Sequence, residues 1–158
     1  MTQVYVGIGS NVQPEQHVAK AVELMRARFG RVSLSPIYRN KAVGFEGDDF
    51  LNAVAGFETG LPVAELKTAL DNVEVLCGRE RGAARFAPRT LDLDLLLYGD
   101  RVDEAERLPR KEILKYAFVL KPLADIAGSL RHPVTGRTFA EHWTAFQGEG
   151  GTLEAQDL

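Results

Sequence analysis

The feature that most constrains the fold is the segment 91–98, LDLDLLLY, in which two acidic residues alternate with leucines. A period of two is typical of a β-strand, because successive side chains of a strand point to opposite faces of the sheet. Asp92 and Asp94 are therefore predicted to lie side by side on one face. The leucines at positions 91, 93 and 95 then point to the other face.

The composition is that of an ordinary globular protein. The chain has 158 residues, of which 45% are hydrophobic and 26% are charged, so one domain with one core is expected. The formal net charge is −3, which argues against a protein that binds nucleic acid over a broad basic surface. Any anion-binding site is expected to be local.

The sequence also predicts a cytoplasmic protein with no membrane partner. The start, MTQVYVGIGSN, lacks the basic and apolar regions of a secretory signal, and no apolar run approaches the ~20 residues that span a bilayer. The single cysteine, Cys77, cannot form a disulfide within the chain. Its position in an apolar helical pattern indicates a core residue.

Hydrophobic periodicity predicts the order βαββαβ over the first hundred residues. Period-two segments are typical of strands, and apolar residues at three- and four-residue spacing are typical of helices. Pro14 and Pro62 suit the starts of the two helices, and Gly30 and Gly78 suit their ends. The predicted strands are 3–8, 31–38, 52–58 and 91–98.

This order predicts an α+β protein of the ferredoxin-like class, with a four-stranded antiparallel sheet and both helices on one face. The C-terminal third contains an apolar segment, YAFVLKPLADIA, a predicted hairpin turn around HPVTGR, and a predicted helix at FAEHWTAF. These elements are expected to cover the other face of the sheet. We expect a single domain over residues 1–147 and a flexible tail over 148–158.

Two neighbouring carboxylates repel each other and are costly to desolvate, so Asp92 and Asp94 require a compensating cation if they are partly buried. Oxygen ligands of this kind suit Mg²⁺, which typically takes one or two carboxylates, waters and substrate phosphates. The alternative is a pair of solvated groups on an edge strand.

Four arginines precede the acidic pair in an irregular, glycine-punctuated segment. Guanidinium groups beside a magnesium-binding pair are expected where a polyphosphate is held. The alternative is a solvated surface loop. A second long loop, residues 40–49, is a candidate wall of a ligand pocket. The arginines are Arg79, Arg81, Arg85 and Arg89.

Other catalytic patterns are absent from the sequence. It contains neither a Walker motif nor G-x-G-x-x-G, so phosphate binding must depend on side chains. His17, His132 and His142 have no metal-ligand spacing to one another or to Cys77. Each histidine is interpreted as a surface residue or as one satisfied by a local partner.

The stretch RFAPRTLDLDLLLYG, residues 85–99, closely resembles the signature of the 6-hydroxymethyl-7,8-dihydropterin pyrophosphokinase family. GSN at 9–11, SPIYRN at 35–40, FLNAV at 50–54 and EVLCGRER at 74–81 support the resemblance in the family's order. Together these motifs cover residues 4 to about 100, and the βαββαβ core is the fold that the resemblance implies.

The resemblance implies an enzyme of folate biosynthesis that transfers pyrophosphate from ATP to a hydroxymethyl dihydropterin, giving AMP and the pterin diphosphate. It implies that Asp92 and Asp94 hold two Mg²⁺ ions and that Arg79 and Arg81 close over the phosphates of the ATP co-substrate. These four residues are the implied catalytic set. The substrates are the expected partners, and we expect a monomer.

The resemblance also implies the residues that contact each substrate. For the pterin, an amide reads the ring's edge, two aromatic side chains sandwich the ring, and a third aromatic residue forms a lid. The implied ATP-binding residues are Glu74, Arg79, Arg81, Arg89, Leu95, Arg110 and Lys115. The implied pterin-binding residues are Asn40, Val43, Phe50, Asn52, Phe86 and Phe118.

The chain departs from the family pattern at the ATP side. Arg110 and Lys111 stand where a His-Tyr pair is usual, and Tyr116 stands where a phosphate-binding arginine is usual. Arg110 keeps a positive donor and Lys115 is expected to replace the lost charge, so weakened or rearranged nucleotide binding is expected. Lys41 and Ala42 also replace what is commonly proline.

Two alternative functions stay open at this point. The first is a pterin- or nucleotide-binding module on the same fold that has lost turnover, which the altered ATP contacts favour. The second is a nucleotidyl- or glycosyl-transferase that uses the D-x-D motif for its metal, although no sugar-site feature argues for it.

Overall fold

The computed structural model describes residues 1–40, 49–78, 91–149 and 152–156. The first two thirds of the chain contain five strands and two helices, and helices dominate the remainder. The elements are β1 (Thr2–Ser10), α1 (Pro14–Phe29), β2 (Ser33–Leu34), β3 (Ile37–Asn40), β4 (Phe50–Thr59), α2 (Val63–Leu76), β5 (Asp92–Tyr98), α3 (Glu112–Lys115), α4 (Ala117–Ala127), α5 (Phe139–Thr144) and β6 (Glu154–Gln156).

The strands form one antiparallel sheet in the order β5-β1-β4-β3-β6, and β2 pairs separately with β4. The described residues thus contribute six strands, so the predicted number of four is wrong. One added strand arises because the segment predicted as a single strand, 31–38, is divided at Pro36. A proline has no N–H to donate to a ladder and interrupts it.

The other added strand lies in the predicted tail. Glu154, Ala155 and Gln156 pair with Arg39, Tyr38 and Ile37. The glycine-rich composition of residues 148–158 gave no period-two signal from which this strand could be predicted. The strand forms because β3 would otherwise be an edge strand, and an edge strand presents N–H and C=O groups with which a nearby segment can pair.

Helices cover both faces of the sheet, and each face has its own apolar core. On the first face α1 contributes Val18 and Met25 and α2 contributes Leu66 and Leu70, as their helical spacing predicts. On the second face the C-terminal helices contribute Ile113, Leu120, Leu123 and Phe139. The expectation that the C-terminal third covers this second face is confirmed.

A β-bulge in β5 decides which leucines enter which core. Val6 pairs with Leu95, but the next residue toward the start of β1, Tyr5, pairs with Leu97, so Leu96 is the extra residue. Leu96 and Leu97 both pack into the second core, whereas Leu95 belongs to the first. The extra residue shifts the alternation of faces by one position, as bulges do.

The helix ends follow local sequence signals. Pro14 opens α1, and Gly30 ends it with φ +86°, a conformation that favours glycine. The predicted HPVTGR turn is closed by a bridge between Arg131 and Thr138, and α5 follows it. Among the described residues, no helix combines the length and the apolar character needed to cross a bilayer.

Ser35 repairs the sheet at the break before Pro36. Its backbone N–H donates to the Val54 carbonyl at 2.9 Å. The Val54 N–H donates back to the Ser35 hydroxyl oxygen at 2.8 Å, so a side chain replaces a backbone carbonyl in the ladder. Val54 is fully buried and belongs to the second core, so solvent cannot replace this hydrogen-bond acceptor.

Replacing Ser35 by alanine should therefore lower the free energy of unfolding by about 1–3 kcal/mol, because it leaves the buried Val54 N–H without an acceptor. Chemical denaturation measures the loss. The matched control is Ser33→Ala in β2, where the side chain is exposed and the expected change is within about 0.5 kcal/mol. Equal losses in the two variants would contradict this role for the Ser35 hydroxyl.

Candidate active site

The register of the sheet aligns polar residues of three strands in one row, with a glycine of β1 between them. Asp92 on β5 lies opposite Gly9 on β1, Gly9 lies opposite Asn52 on β4, and Asn52 lies opposite Tyr38 on β3. Directly paired residues of neighbouring strands share a face. Asp92 and Asn52 therefore face the same side of the sheet, separated by a strand that carries only a glycine at this level.

A parallel row passes two residues further along. Asp94 lies opposite Gly7, which lies opposite Val54. The prediction that Asp92 and Asp94 share one face is confirmed, since both line one pocket while Leu93 and Leu95 are buried in the core on the opposite face. The two glycines add no side chain to the pocket between the residues of β4 and those of β5.

The pocket lies between the sheet and the α3–α4 region and has a volume of about 220 Å³. The sheet contributes its floor, and the segment from Arg110 to Val119 contributes the opposite wall. The floor includes Gly7, Gly9, Asn40, Phe50, Asn52, Val54, Asp92, Asp94 and Leu96, and the wall includes Arg110, Glu112, Tyr116, Phe118 and Val119.

One end of the pocket is strongly charged. An Nη atom of Arg110 lies 3.3 Å from a carboxylate oxygen of Asp94, and its Nε lies 3.4 Å from Glu112 Oε2. The other carboxylate oxygen of Glu112 lies 3.1 Å from Arg107 Nη2. Glu112 thus links two arginines and orients Arg110 toward Asp94.

The surroundings of Asp94 have opposing effects on the pKa of its carboxyl group. Desolvation in the pocket raises the pKa of its carboxyl group, Arg110 lowers it, and the neighbouring Asp92 raises it again. The net effect is a raised pKa. About half of the side chain, 48%, is accessible, because the open pocket admits solvent to a carboxylate that protein atoms otherwise surround.

The acidic pair fits a hard divalent cation. Asp92 and Asp94 offer oxygen ligands from one strand face, and the glycines opposite them leave room for waters or phosphate oxygens. Within the described residues, no group of three or more histidine, cysteine or acidic side chains could hold a metal by itself. A cation here would thus need two carboxylates completed by solvent and ligand, which suits Mg²⁺.

The other end of the pocket is neutral and contains a pair of amides. Asn52 donates through its side-chain N–H to the side-chain oxygen of Asn40, and both residues are buried. A Cβ atom placed on Gly9 would lie 3.1 Å from Asn52 Oδ1, so glycine at this position leaves space for the amide. Tyr38 fixes the same region to α4 by donating to the Asp125 carboxylate.

Aromatic rings stand beside the amides. Phe50 and Phe118 both line the pocket, and the ring of Tyr116 stacks on Phe118 with centroids 4.9 Å apart and an interplanar angle of 17°. Lys115 lies outside the lining, with its Nζ 5.1 Å from the Tyr116 ring centroid. A hydrogen bond with Tyr116 is the main cause that raises the pKa of Lys115.

The structure brings together most of the site residues that the sequence implied and that it describes. Three of them, Glu74, Leu95 and Lys115, do not line the pocket. Glu74 is buried on the opposite side of β5 and accepts the Leu93 N–H at 2.7 Å, and Leu95 is buried in the first core. Val43, Arg79, Arg81, Phe86 and Arg89 lie outside the described residues.

Sequence reasoning missed several residues of the pocket, among them Gly7, Gly9 and Glu112. The glycines carried a usable signal, since a glycine inside a strand often marks close approach of another group. Glu112 carried none, because a single acid in a short helix is indistinguishable in sequence from a solvated residue.

The fold and the pocket together define a mixed α/β protein with an antiparallel sheet and a pocket that is acidic at one end and walled by aromatic rings and amides at the other. The family model described as 7,8-dihydro-6-hydroxymethylpterin-pyrophosphokinase (HPPK) matches residues 5–128. The chain belongs to this family of pyrophosphokinases.

Individual proteins agree with this assignment. A 2-amino-4-hydroxy-6-hydroxymethyldihydropteridine pyrophosphokinase of Pseudomonas aeruginosa is 38% identical over 156 residues, covering 94% of each chain. The protein of the same name from Haemophilus influenzae is 35% identical, covering 84% of this chain and 86% of its own.

A solved structure agrees with the fold. A crystal structure of an HPPK-DHPS protein in complex with substrates superposes with a TM-score of 0.69 at 11% identity. It matches 91% of this chain, which spans 43% of that longer protein.

The raised pKa of Asp94 predicts a pH-dependent stability difference in metal-free protein. A carboxyl group whose pKa is higher in the folded state than in the unfolded chain favours folding at low pH and loses that contribution as the pH rises through its folded value. Asp94→Asn cannot ionise. We expect its melting temperature in EDTA to exceed that of the wild type at pH 7, with the difference vanishing as the pH falls to the ordinary aspartate value of 3.8.

Added Mg²⁺ provides the second arm of this measurement. It should raise the melting temperature of the wild type by mass action and leave that of Asp94→Asn nearly unchanged. A difference between the two proteins that does not vary with pH, or equal stabilisation of both by Mg²⁺, would contradict the electrostatic description of this end of the pocket.

Proposed function

We propose that the protein transfers the terminal pyrophosphoryl group of ATP to the hydroxymethyl group of 6-hydroxymethyl-7,8-dihydropterin. The products are AMP and the pterin diphosphate, an intermediate of folate synthesis. One observation carries the proposal beyond family membership. The strand register puts the carboxylates of β5 and the amide of Asn52 on one face, with only Gly9 between them.

This arrangement suits the two parts of the reaction. A flat heterocycle bound between Phe50 and Phe118 would gain stacking energy, and the buried amides of Asn40 and Asn52 would select the edge that it presents. The pocket then continues directly to Asp92 and Asp94, so a hydroxymethyl group on the ring would point toward the phosphate end.

Asp92 and Asp94 are the proposed ligands of Mg²⁺, two ions by resemblance to the family. Bound Mg²⁺ would neutralise phosphate charge and orient phosphate oxygens. The carboxylates place the phosphate end of the pocket beside the pterin end. No protein nucleophile is required, because positioning and charge neutralisation suffice.

Arg110 is the proposed phosphate ligand on the opposite wall. Its guanidinium already lies 3.3 Å from Asp94, and Glu112 holds it from behind. When ATP arrives, the phosphates can replace Asp94 as its partner, and Asp94 then becomes available to a cation. By resemblance to the family, Arg79, Arg81, Arg89 and Lys115 complete the proposed ATP-binding set, and Val43 and Phe86 complete the pterin-binding set. Glu74 and Leu95, which the resemblance also implies, lie outside the described pocket.

A pterin- or nucleotide-binding module without turnover is a second candidate. The same Arg110–Asp94 ion pair favours it, because one proposed metal ligand already has a cationic partner. If that pair is stronger than the attraction of Mg²⁺-ATP, ligands would bind and no reaction would follow.

One assay separates the two functions. Protein, Mg²⁺, ATP and the hydroxymethyl dihydropterin are incubated together, and the nucleotide and pterin products are separated by chromatography. AMP and pterin diphosphate in equal amounts support the pyrophosphokinase. ADP would contradict it, and pterin binding without either product would favour the binding module.

Asp94→Asn should reduce turnover in this assay by roughly 100-fold or more, because loss of metal-based charge stabilisation costs several kcal/mol of transition-state energy. The matched control is Asp100→Asn, an exposed carboxylate just beyond β5, which should keep full turnover. Near wild-type activity of Asp94→Asn, with normal folding by circular dichroism, would refute the metal assignment.

Gly9→Ala should weaken pterin binding about fivefold, the equivalent of one hydrogen bond of about 1 kcal/mol. The new methyl group would lie 3.1 Å from Asn52 Oδ1 and displace the amide. Gly60→Ala is the control, because Gly60 does not line the pocket and its methyl group would meet Met1 Sδ at an ordinary 3.5 Å. The KM for pterin at saturating ATP measures both, and equal values would exclude a role for Asn52 in recognition.

A further inference from the structure

Tyr116 interrupts the helical course of the chain between α3 and α4. Its backbone is extended, with φ −120° and ψ 130°, although helical residues precede and follow it. The ring lines the pocket and stacks on Phe118, two positions further along. Neither ring belongs to the buried sets that form the two cores of the described chain. Core packing therefore does not account for this pair.

Residues 148–149 and 152–156, here called the C-terminal segment, contact the chain beside the pocket. Glu149 of this segment forms hydrogen bonds with the backbone on both sides of Tyr116. The Ala117 N–H donates to the Glu149 carbonyl at 2.7 Å, and the Glu149 N–H donates to the Lys115 carbonyl at 2.9 Å. Tyr116 and Glu149 form an isolated parallel bridge. Because both bonds use backbone atoms, they fix the direction in which the Tyr116 side chain leaves the chain.

Gly148 makes this contact possible. A Cβ atom at this position would lie 2.6 Å from the Lys115 carbonyl oxygen and 2.5 Å from the Phe146 ring. Neither distance is compatible with a side chain unless the chain moves. The close approach of the C-terminal segment to Tyr116 thus depends on a glycine.

The same end of the chain also contacts the opposite side of the pocket. β6 pairs with β3, and its Glu154 lies opposite Arg39, the residue that precedes Asn40. Asn40 lines the pocket, and its side-chain oxygen accepts a hydrogen bond from the Asn52 amide. Within the described residues, the C-terminal segment therefore has one anchor beside the aromatic wall and another beside the amides.

We propose that Tyr116 is a positioning residue of the pterin site: it fixes the plane of the Phe118 ring, and the backbone of Glu149 fixes Tyr116. This inference rests on the proposed function, because it takes the pterin as the ring that stacks on this wall. The C-terminal segment thereby becomes part of the substrate site without contacting the substrate.

The physical basis is preorganisation. A single phenylalanine at a half-open pocket can rotate, and a ligand that orders it loses binding energy to that ordering. A second ring stacked at 4.9 Å removes the freedom beforehand. Stacked aromatic pairs contribute about 0.5–1.5 kcal/mol beyond burial, which corresponds to an affinity change of about 2- to 12-fold.

The first test compares Tyr116→Leu with Tyr116→Phe. Phenylalanine keeps the stack and should change the Kd for the pterin by less than about twofold, whereas leucine should raise it about 2- to 12-fold. Binding is followed by pterin fluorescence in the presence of Mg²⁺ and a non-hydrolysable ATP analogue. The kcat of both variants at saturating substrates should stay near the wild-type value. A general folding defect would instead lower the apparent kcat, because less of the protein would be active.

The second test uses Glu149, far along the chain from the pocket residues. Glu149→Pro removes the N–H that binds the Lys115 carbonyl, whereas Glu149→Ala keeps both backbone groups. The proline variant should raise the Kd for the pterin in the same direction as Tyr116→Leu, and the alanine variant should not.

The outcomes separate this inference from the proposed function. If the wild type neither binds the pterin nor forms AMP, both this inference and the proposed function are refuted. If the wild type does both, while Tyr116→Leu binds the pterin as tightly as the wild type, the role of Tyr116 is refuted and the proposed function stands. If Tyr116→Leu raises the Kd for the pterin but Glu149→Pro leaves it unchanged, the part assigned to the C-terminal segment is refuted.

Discussion

The site depends above all on the antiparallel register of β1 with its two neighbours. β1 pairs with β4 on one side and with β5 on the other, and Gly9 lies opposite both Asn52 and Asp92. Because side chains alternate with a period of two, a slip of one residue on either side would turn the carboxylates or the amide into the opposite core. The two ends of the pocket are therefore joined by backbone hydrogen bonds rather than by a flexible loop.

Two carboxylates of the pocket, Asp94 and Glu112, are paired with arginines. Arg110 lies between Asp94 and Glu112, and Arg107 binds the far side of Glu112. This chain of ion pairs keeps a cation beside Asp94 before any ligand arrives. Under the proposed function, metal and nucleotide would have to displace this Arg110–Asp94 contact, so the same ion pair bears on both turnover and binding alone.

Local sequence signals predicted α1, α2, α5 and most strands, because periodicity and helix-end residues act over neighbouring residues, whereas α3 and α4 were not predicted as helices. The failures have specific causes. Pro36 divided one predicted strand, and β6 formed because the edge of β3 offered it a partner. The bulge at Leu96 was equally invisible in LDLDLLLY, since a run of leucines satisfies either core. In each case the decisive partner lies far away in the chain.

The sequence by itself determined the family, the two helices on the first face and the common face of Asp92 and Asp94, because motifs, helical spacing and strand alternation are properties of contiguous residues. Tertiary structure alone decided that Gly9 separates Asp92 from Asn52, that Glu74 lies behind the pocket, and that the Glu149 backbone bonds the residues on both sides of Tyr116. These relations join residues distant in the chain, and only the closing of the sheet and the packing of the helices on it fix their distances.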